Sequence, residues 1–199
     1  MIEEEAEKVE EPKIETEAEK TEKNWPEDTH TPEHQAPSEP TVYGSALDLK
    51  IFHVSNRLRT DPRSFLPWLR NRAHNATNPR VKAKLENAIK SIDRMRGALN
   101  PLVWSDGLSL AARDRCYDTG PLEELDGLGS DGSTLFDRIN RYGDSGWFRG
   151  ENLSFSENKP DIVNDIVMGL FIDDSTPGHQ HRARMWSPNF KVTGIFSCL

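Results

Sequence analysis

The sequence is poor in cysteine and has no long apolar run, and each shortage excludes a class of protein. Its 199 residues include two cysteines and no Cys-x-x-Cys pair, which excludes a disulfide-rich scaffold and a zinc finger. No stretch approaches the roughly 18 consecutive apolar residues of a membrane-spanning helix. The formal net charge of -8 argues against a general nucleic-acid-binding protein.

The negative charge is concentrated in the first 42 residues. These contain 14 acidic and four basic side chains, a net of -10, whereas residues 43–199 contain 19 acidic and 21 basic, a net of +2. The first segment has few apolar residues and five prolines, so it cannot bury enough surface to offset its chain entropy. We therefore predict a disordered acidic tail over 1–42 and one domain over 43–199.

The first residues lack the positive region and the apolar region of a secretory signal peptide. Taken literally, this start predicts a cytoplasmic protein, in which Cys116 and Cys198 would remain thiols. The separation of the two cysteines along the chain is also compatible with a disulfide. The sequence therefore leaves their pairing open.

Apolar residues at helical spacing and capping signals predict six helices between residues 46 and 171. Two strands are predicted after the fifth helix, a short one over 151–155 and a second over 190–196. Many helices with a few late strands indicate an α+β fold. The helices are predicted to begin near Ala46, Pro62, Pro79, Ser105 or Asp106, Leu135 and Pro160.

Five side chains in the last third of the sequence could form a site. Two imidazoles among carboxylates suit either a divalent metal or acid–base chemistry. His179 and His181 would point about 200° apart in a helix, so they could share one ion only in an extended segment. The alternative, which the spacing alone favours, is that His181 makes hydrogen bonds inside a core. The candidates are Glu151, Asp173, Asp174, His179 and His181.

Three other patterns are interpreted as structural. Residues 143–146 match the motif around a trypsin-like nucleophile, but they follow a helix in a mostly helical chain. Residues 126–132 lack the alternating oxygen ligands of a calcium loop. Arg182, Arg184 and Lys191 form a modest basic cluster, which is predicted to be a solvated face.

Short blocks follow one another in a specific order at residues 102–108, 111–114, 129–133, 150–153, 178–182 and 188–191. Together they resemble the CAP superfamily, which includes cysteine-rich secretory proteins, insect venom antigens and plant pathogenesis-related proteins, and most closely its cysteine-poor, single-domain branch. The resemblance covers roughly residues 43–199. It implies an α-β-α sandwich, usually in extracellular proteins.

The resemblance implies a cleft with two histidines and two acidic residues. Glu151 matches the first acid and His181 matches the second histidine, while Asp173 or Asp174 stands near the second acid. Gly127 stands where the first histidine is expected. This departure leaves one matching imidazole, and such a set favours weaker or harder cations than zinc.

A tentative metal set follows from these matches. It consists of Glu151, His181 and, if the segment is extended, His179 as a replacement for the missing imidazole. The cation could be zinc or magnesium. We expect a weakened site.

Family domains continue into a further strand after residues 194–195, which this sequence does not contain. We therefore expect an exposed sheet edge at which a partner could pair. The acidic tail is a second candidate for contact with a protein partner.

The resemblance implies binding rather than proven catalysis, because family members are associated with sterol or lipid binding and with divalent cations. We predict a lipid- or cation-binding domain that is not an enzyme. The alternative is a degenerate domain that acts as a protein-interaction scaffold. A weak hydrolase, with His181 as base and Glu151 as acid, is the third possibility, and no recognisable motif supplies its nucleophile.

Overall fold

A computed structural model describes residues 44–122, 127–156, 161–173 and 178–198. The predicted acidic tail and the candidate Asp174 lie outside these ranges. Within them the protein is mostly helical with one small sheet, so the predicted α+β class is confirmed.

The helices and strands follow in the order α1, α2, α3, β1, α4, α5, α6, α7, β2. Two short 3-10 helices, Pro62–Phe65 and Gly120–Leu122, precede α2 and follow α4. The bounds of the α-helices and strands are α1 Ala46–Thr60, α2 Leu66–Asn75, α3 Pro79–Arg94, β1 Val103–Trp104, α4 Asp106–Thr119, α5 Leu135–Asn140, α6 Ile162–Ile172, α7 Gln180–Met185 and β2 Val192–Thr193.

Side-chain caps fix where several helices begin. The Asn78 side chain accepts a hydrogen bond from the backbone of Arg80 at the start of α3, and Ser105 caps α4 in the same way. Thr134 forms a reciprocal capping box with Asp137 at the start of α5. These bonds satisfy amide groups that have no partner inside the helix. The predicted starts of α3 and α4 are confirmed.

Helices α1, α2, α3 and α6 share one hydrophobic core. Each presents an apolar stripe to the others, and the most deeply buried side chains are fully excluded from solvent. This burial supplies the main stabilisation of the layer, since apolar area removed from water is the dominant favourable term in folding. The core residues with no exposed area are Leu58, Leu69, Ala88, Ile92, Val167 and Phe171.

The two strands pair in parallel between this layer and α4. Val103 lies opposite Val192, and the side chain of Asn56 in α1 bonds both backbone groups of Leu102. On the other side Gly194 lies against α4, where Ser109 Oγ accepts a hydrogen bond from the Ile195 amide at 3.3 Å. The strands therefore have a helix on each face, as the sandwich prediction requires.

The sheet is shorter than the sequence predicts. The predicted strand over 151–155 is wrong, and the predicted strand over 190–196 is reduced to Val192–Thr193. At residues 151–155 a side chain, rather than a partner strand, bonds the backbone. Arg184 donates to the Glu151 carbonyl at 3.2 Å. That carbonyl is therefore satisfied without a ladder.

Cys116 and Cys198 form a disulfide, with their Cα atoms 6.0 Å apart. The bond fastens the segment after β2 to the end of α4. The pairing that the sequence left open is therefore present, and free thiols are not found at these positions. None of the described helices is long and apolar enough to cross a membrane.

Gly194 tests the contact between the sheet and α4. A Cβ atom on Gly194 would lie 2.1 Å from the backbone nitrogen of Ser109, whereas one on Gly169 would meet no described atom within 4 Å. We expect Gly194→Ala to lower the free energy of unfolding by at least about 2 kcal/mol, because backbone must move. Gly169→Ala, inside α6, should raise it by roughly 0.5–1 kcal/mol. Denaturant unfolding of both variants measures this, and equal effects would contradict the proposed close contact.

Candidate functional site

Asp173 organises the turn between α6 and α7. It follows the last residue of α6 in a left-handed conformation with φ 44°, and its side chain is fully buried. One carboxylate oxygen accepts hydrogen bonds from the amides of His181, at 2.8 Å, and Arg182, at 3.3 Å. Asp173 thereby satisfies two amides in the first turn of α7, where a negative charge is favourable.

The other carboxylate oxygen of Asp173 orients the His181 ring. His181 Nδ1 lies 2.9 Å from Asp173 Oδ1, and the His181 side chain is 19% exposed. A carboxylate at Nδ1 favours the tautomer that is protonated there, which leaves the lone pair of a neutral ring on Nε2. His181 can therefore offer one nitrogen to a ligand or a proton. The His181 ring is therefore bonded inside the protein, as the structural alternative predicted, and its role in a site stays a prediction.

Arg182 lies beneath this turn and connects it to α3. Its guanidinium donates to the carbonyls of Phe171 and Ile172, each at 2.6 Å. It also reaches Asn87 and Ser91 of α3, each at 2.8 Å. The side chain is buried, so the predicted solvated face is wrong for Arg182.

Burial and charge act in opposite directions on Arg182. Desolvation lowers the pKa of the guanidinium, and the nearby Asp173 carboxylate opposes that shift. Arginine remains protonated even so, because its ordinary pKa lies far above neutral pH. The positive charge is therefore kept inside the protein by its carbonyl acceptors and by Asp173.

Glu151 is held by a second buried arginine. Arg138 Nη2 lies 3.0 Å and 3.2 Å from the two carboxylate oxygens of Glu151, and Arg138 also donates to the Ser133 carbonyl at 3.0 Å. The Arg138 side chain is 2% exposed and that of Glu151 is 19% exposed. The charge of Glu151 is thus balanced by an internal cation.

Two side-chain-to-backbone hydrogen bonds join the Glu151 segment to α7. Arg184 donates to the Glu151 carbonyl, and the Asn152 amide donates to the His181 carbonyl at 3.3 Å. A Cβ on Gly150 would lie 3.0 Å from the Arg184 side chain, so the two segments are in close contact. The structure therefore brings the segment that carries Glu151 against the helix that carries His181.

The remaining candidates do not complete a metal centre. His179 is in a left-handed conformation with φ 53°, and its Nδ1 lies 2.5 Å from the Asp173 carbonyl. A side chain at Gly127 would meet nothing within 4 Å among the described atoms. The described residues contain no group of three or more His, Cys, Asp or Glu side chains that could hold a metal ion. With Glu151 paired to Arg138, the donor set visible here does not fit zinc.

The sequence analysis missed three exposed aromatic side chains in and after α5, Phe136, Trp147 and Phe148, which are called the aromatic cluster below. Their exposed fractions are 44%, 77% and 54%. The Arg149 guanidinium lies 3.9 Å from the centre of the Phe136 ring and so ties the cluster to α5. The adjacent aromatic pair after Gly146 was the available signal, because no predicted helix or strand accounted for it.

Comparison with known families decides the relationship. Residues 52–198 match the family model described as the cysteine-rich secretory protein family, CAP. The chain belongs to this family. No curated protein and no solved structure matches it significantly. The family match confirms the resemblance found in the sequence, and it covers both Glu151 and His181.

The ion pair of this CAP domain is tested by removing one partner at a time. Arg138→Met should lower the free energy of unfolding by about 2–3 kcal/mol, since Glu151 would be left largely buried without its cation. Arg138→Met combined with Glu151→Gln should recover part of that loss. A double-mutant cycle measured by denaturant unfolding gives the coupling, and strictly additive losses would show that the pair contributes no coupling.

Proposed function

We propose that this member of the cysteine-rich secretory protein family is a non-enzymatic domain that binds lipid at the aromatic cluster beside its cleft. The observation that carries the proposal is the exposure of Trp147, which is 77% accessible although indole rings are usually well buried. An exposed aromatic cluster of this kind marks a contact surface.

Two contacts support a position of the aromatic cluster near Glu151. From α5, Phe136 packs under Arg149 and Arg138 pairs with Glu151. The partners Arg149 and Glu151 are two residues apart in the segment that follows the cluster. These contacts support one surface that includes the aromatic cluster and the segment of Glu151.

The side-chain composition of this surface suits a lipid. Tryptophan and phenylalanine side chains partition into the boundary between lipid head groups and acyl chains. Arg149 supplies a cation at the same place, and a guanidinium can pair with a lipid phosphate. The association of the family with lipid binding agrees with this composition.

Two features support binding rather than catalysis. Glu151 is neutralised by Arg138, so it is poorly placed to transfer a proton. Within the part of the chain that the structure describes, no Ser, Thr or Cys side chain is hydrogen-bonded to the His181 ring. A hydrolase that uses His181 as base would require such a nucleophile or an activated water.

The lipid proposal is tested with vesicles containing phosphatidylserine and, separately, a sterol. Trp147→Ala should weaken binding at least about tenfold, since it removes the largest exposed apolar side chain of the cluster. Leu122→Ala serves as the matched control, because Leu122 is 62% exposed and lies outside the cluster. Vesicle co-sedimentation gives the affinities.

The outcomes separate the candidate functions. Loss in Trp147→Ala with no change in Leu122→Ala supports the proposal. Absence of vesicle binding by the full chain would overturn it and would leave the protein-interaction scaffold, through the sheet edge or the acidic tail, as the prediction to test.

A divalent cation is the second candidate, and the orientation of His181 favours it. Asp173 leaves Nε2 as the ring atom available to an ion. If the cleft can bind zinc or magnesium, Gly127→His should raise the affinity, because it restores the second imidazole at a position with free space. Calorimetric titration of both ions measures this, with His181→Ala in the Gly127→His background as control. An unchanged titration would exclude a cation site at this cleft.

A further inference from the structure

Positive charge is concentrated in one part of the helical layer, far along the chain from the aromatic cluster. Residues 57–96 contain 11 basic and three acidic side chains, a net of +8. The rest of residues 43–199 carries ten basic and 16 acidic side chains, a net of -6. The near-neutral total therefore conceals two regions of opposite charge.

Helix α3 turns its cations toward solvent. Leu85, Ala88 and Ile92 form its buried stripe. At about 100° per residue, Lys90 and Arg94 lie roughly 150–170° from the centre of that stripe, on the opposite side, and Arg80 lies about 115° from it. All three are exposed.

The acidic residues of α3 do not interrupt this basic face, which we define as Arg80, Lys90 and Arg94. Glu86 and Asp93 lie about 105–130° from the centre of the buried stripe, on the other flank from Arg80. The three cations span 14 residues, or about 21 Å along the helix axis. They form one row without an intervening carboxylate.

The structure leaves these charges unneutralised. Among the described residues, no ion pair involves Arg80, Lys90 or Arg94. The second layer differs, because Arg138 and Arg141 on and after α5 pair with carboxylates. A row of unpaired cations on a rigid helix is suited to an external anion.

The basic face offers little to a membrane. The exposed large apolar side chain of α3 is Val81, at 44%, and it lies on the buried side of the helix by periodicity. Helix α3 packs against α2 and α6, whereas α5, which carries part of the aromatic cluster, packs against α4. The lipid-binding surface proposed above and the basic face therefore belong to different layers.

We propose that the basic face of α3 binds a sulfated polysaccharide. Guanidinium groups form paired hydrogen bonds with tetrahedral oxyanions, and a linear chain can follow a straight row of cations. The Cys116–Cys198 disulfide and the family's secretory character favour an oxidising compartment, where such polymers are found. The net charge of -6 on the rest of the domain opposes the wide contact that duplex DNA makes.

The test uses the full chain and heparin as the probe. Lys90→Glu combined with Arg94→Glu should raise the Kd for heparin at least about tenfold and reduce the slope of log Kd against log salt by about two. Lys50→Glu combined with Lys191→Glu is the control, since both lysines are exposed, lie outside α3 and change the net charge equally. This pair should change the Kd less than threefold. A Lys90→Gln, Arg94→Gln variant separates loss of cations from added repulsion, and circular dichroism checks the folding of each protein.

Any of the following four outcomes would overturn the proposal. Equal losses in the two charge-reversal variants would mean that net charge alone controls binding. Duplex DNA bound as tightly as heparin would indicate a general polyanion surface, and anionic vesicles captured through Lys90 and Arg94 would indicate a membrane contact. No heparin binding at low salt would exclude the polysaccharide. None of these results depends on Trp147, so the lipid proposal is judged separately.

Discussion

The buried guanidinium of Arg182 is the contact on which the geometry of the site depends. It binds the carbonyls at the end of α6 and polar side chains on α3, while its own backbone amide binds Asp173. Asp173 in turn caps α7 and orients His181. The hydrogen bonds of the Asp173 carboxylate and of the Arg182 guanidinium hold the turn, in which Asp173 adopts a left-handed conformation that non-glycine residues rarely adopt. The position of the His181 ring follows from that arrangement.

Arginine side chains donate hydrogen bonds to backbone carbonyls that neighbouring strands would bond in a larger sheet. The described sheet has two strands of two residues each, so many carbonyls in the connecting segments have no ladder partner. Arg59 binds the carbonyls of Asn100, Met185 and Ser187, which fixes α1 to the segments around the strands. Arg138 does the same for Ser133. Burial lowers the pKa of Arg59, yet its carbonyl acceptors keep the cation in place.

Local chemistry decided what could be predicted from the sequence. Helix starts were predictable because a cap is read from adjacent residues, as with Asn78 before Pro79. The family match of Glu151 and His181 was also visible. Their partners were not, since the Arg138–Glu151 pair and the packing of Arg182 depend on contacts between separate segments. The prediction of a strand over 151–155 was wrong for the same reason. Its apolar pattern is present, but the Glu151 carbonyl accepts a hydrogen bond from the Arg184 side chain and not from a partner strand.

The Arg138–Glu151 pair also changes what the missing histidine means. In a two-histidine cleft a bound cation would neutralise the glutamate, and loss of one imidazole at Gly127 would leave that charge poorly compensated. Here Arg138 supplies the positive charge from within the fold. Glu151 is therefore the partner of a buried arginine in the structure whether or not the cleft binds an ion. We expect Glu151 to contribute to stability, and we expect function in groups that the fold leaves accessible, such as the exposed Trp147 and the partly exposed His181 ring.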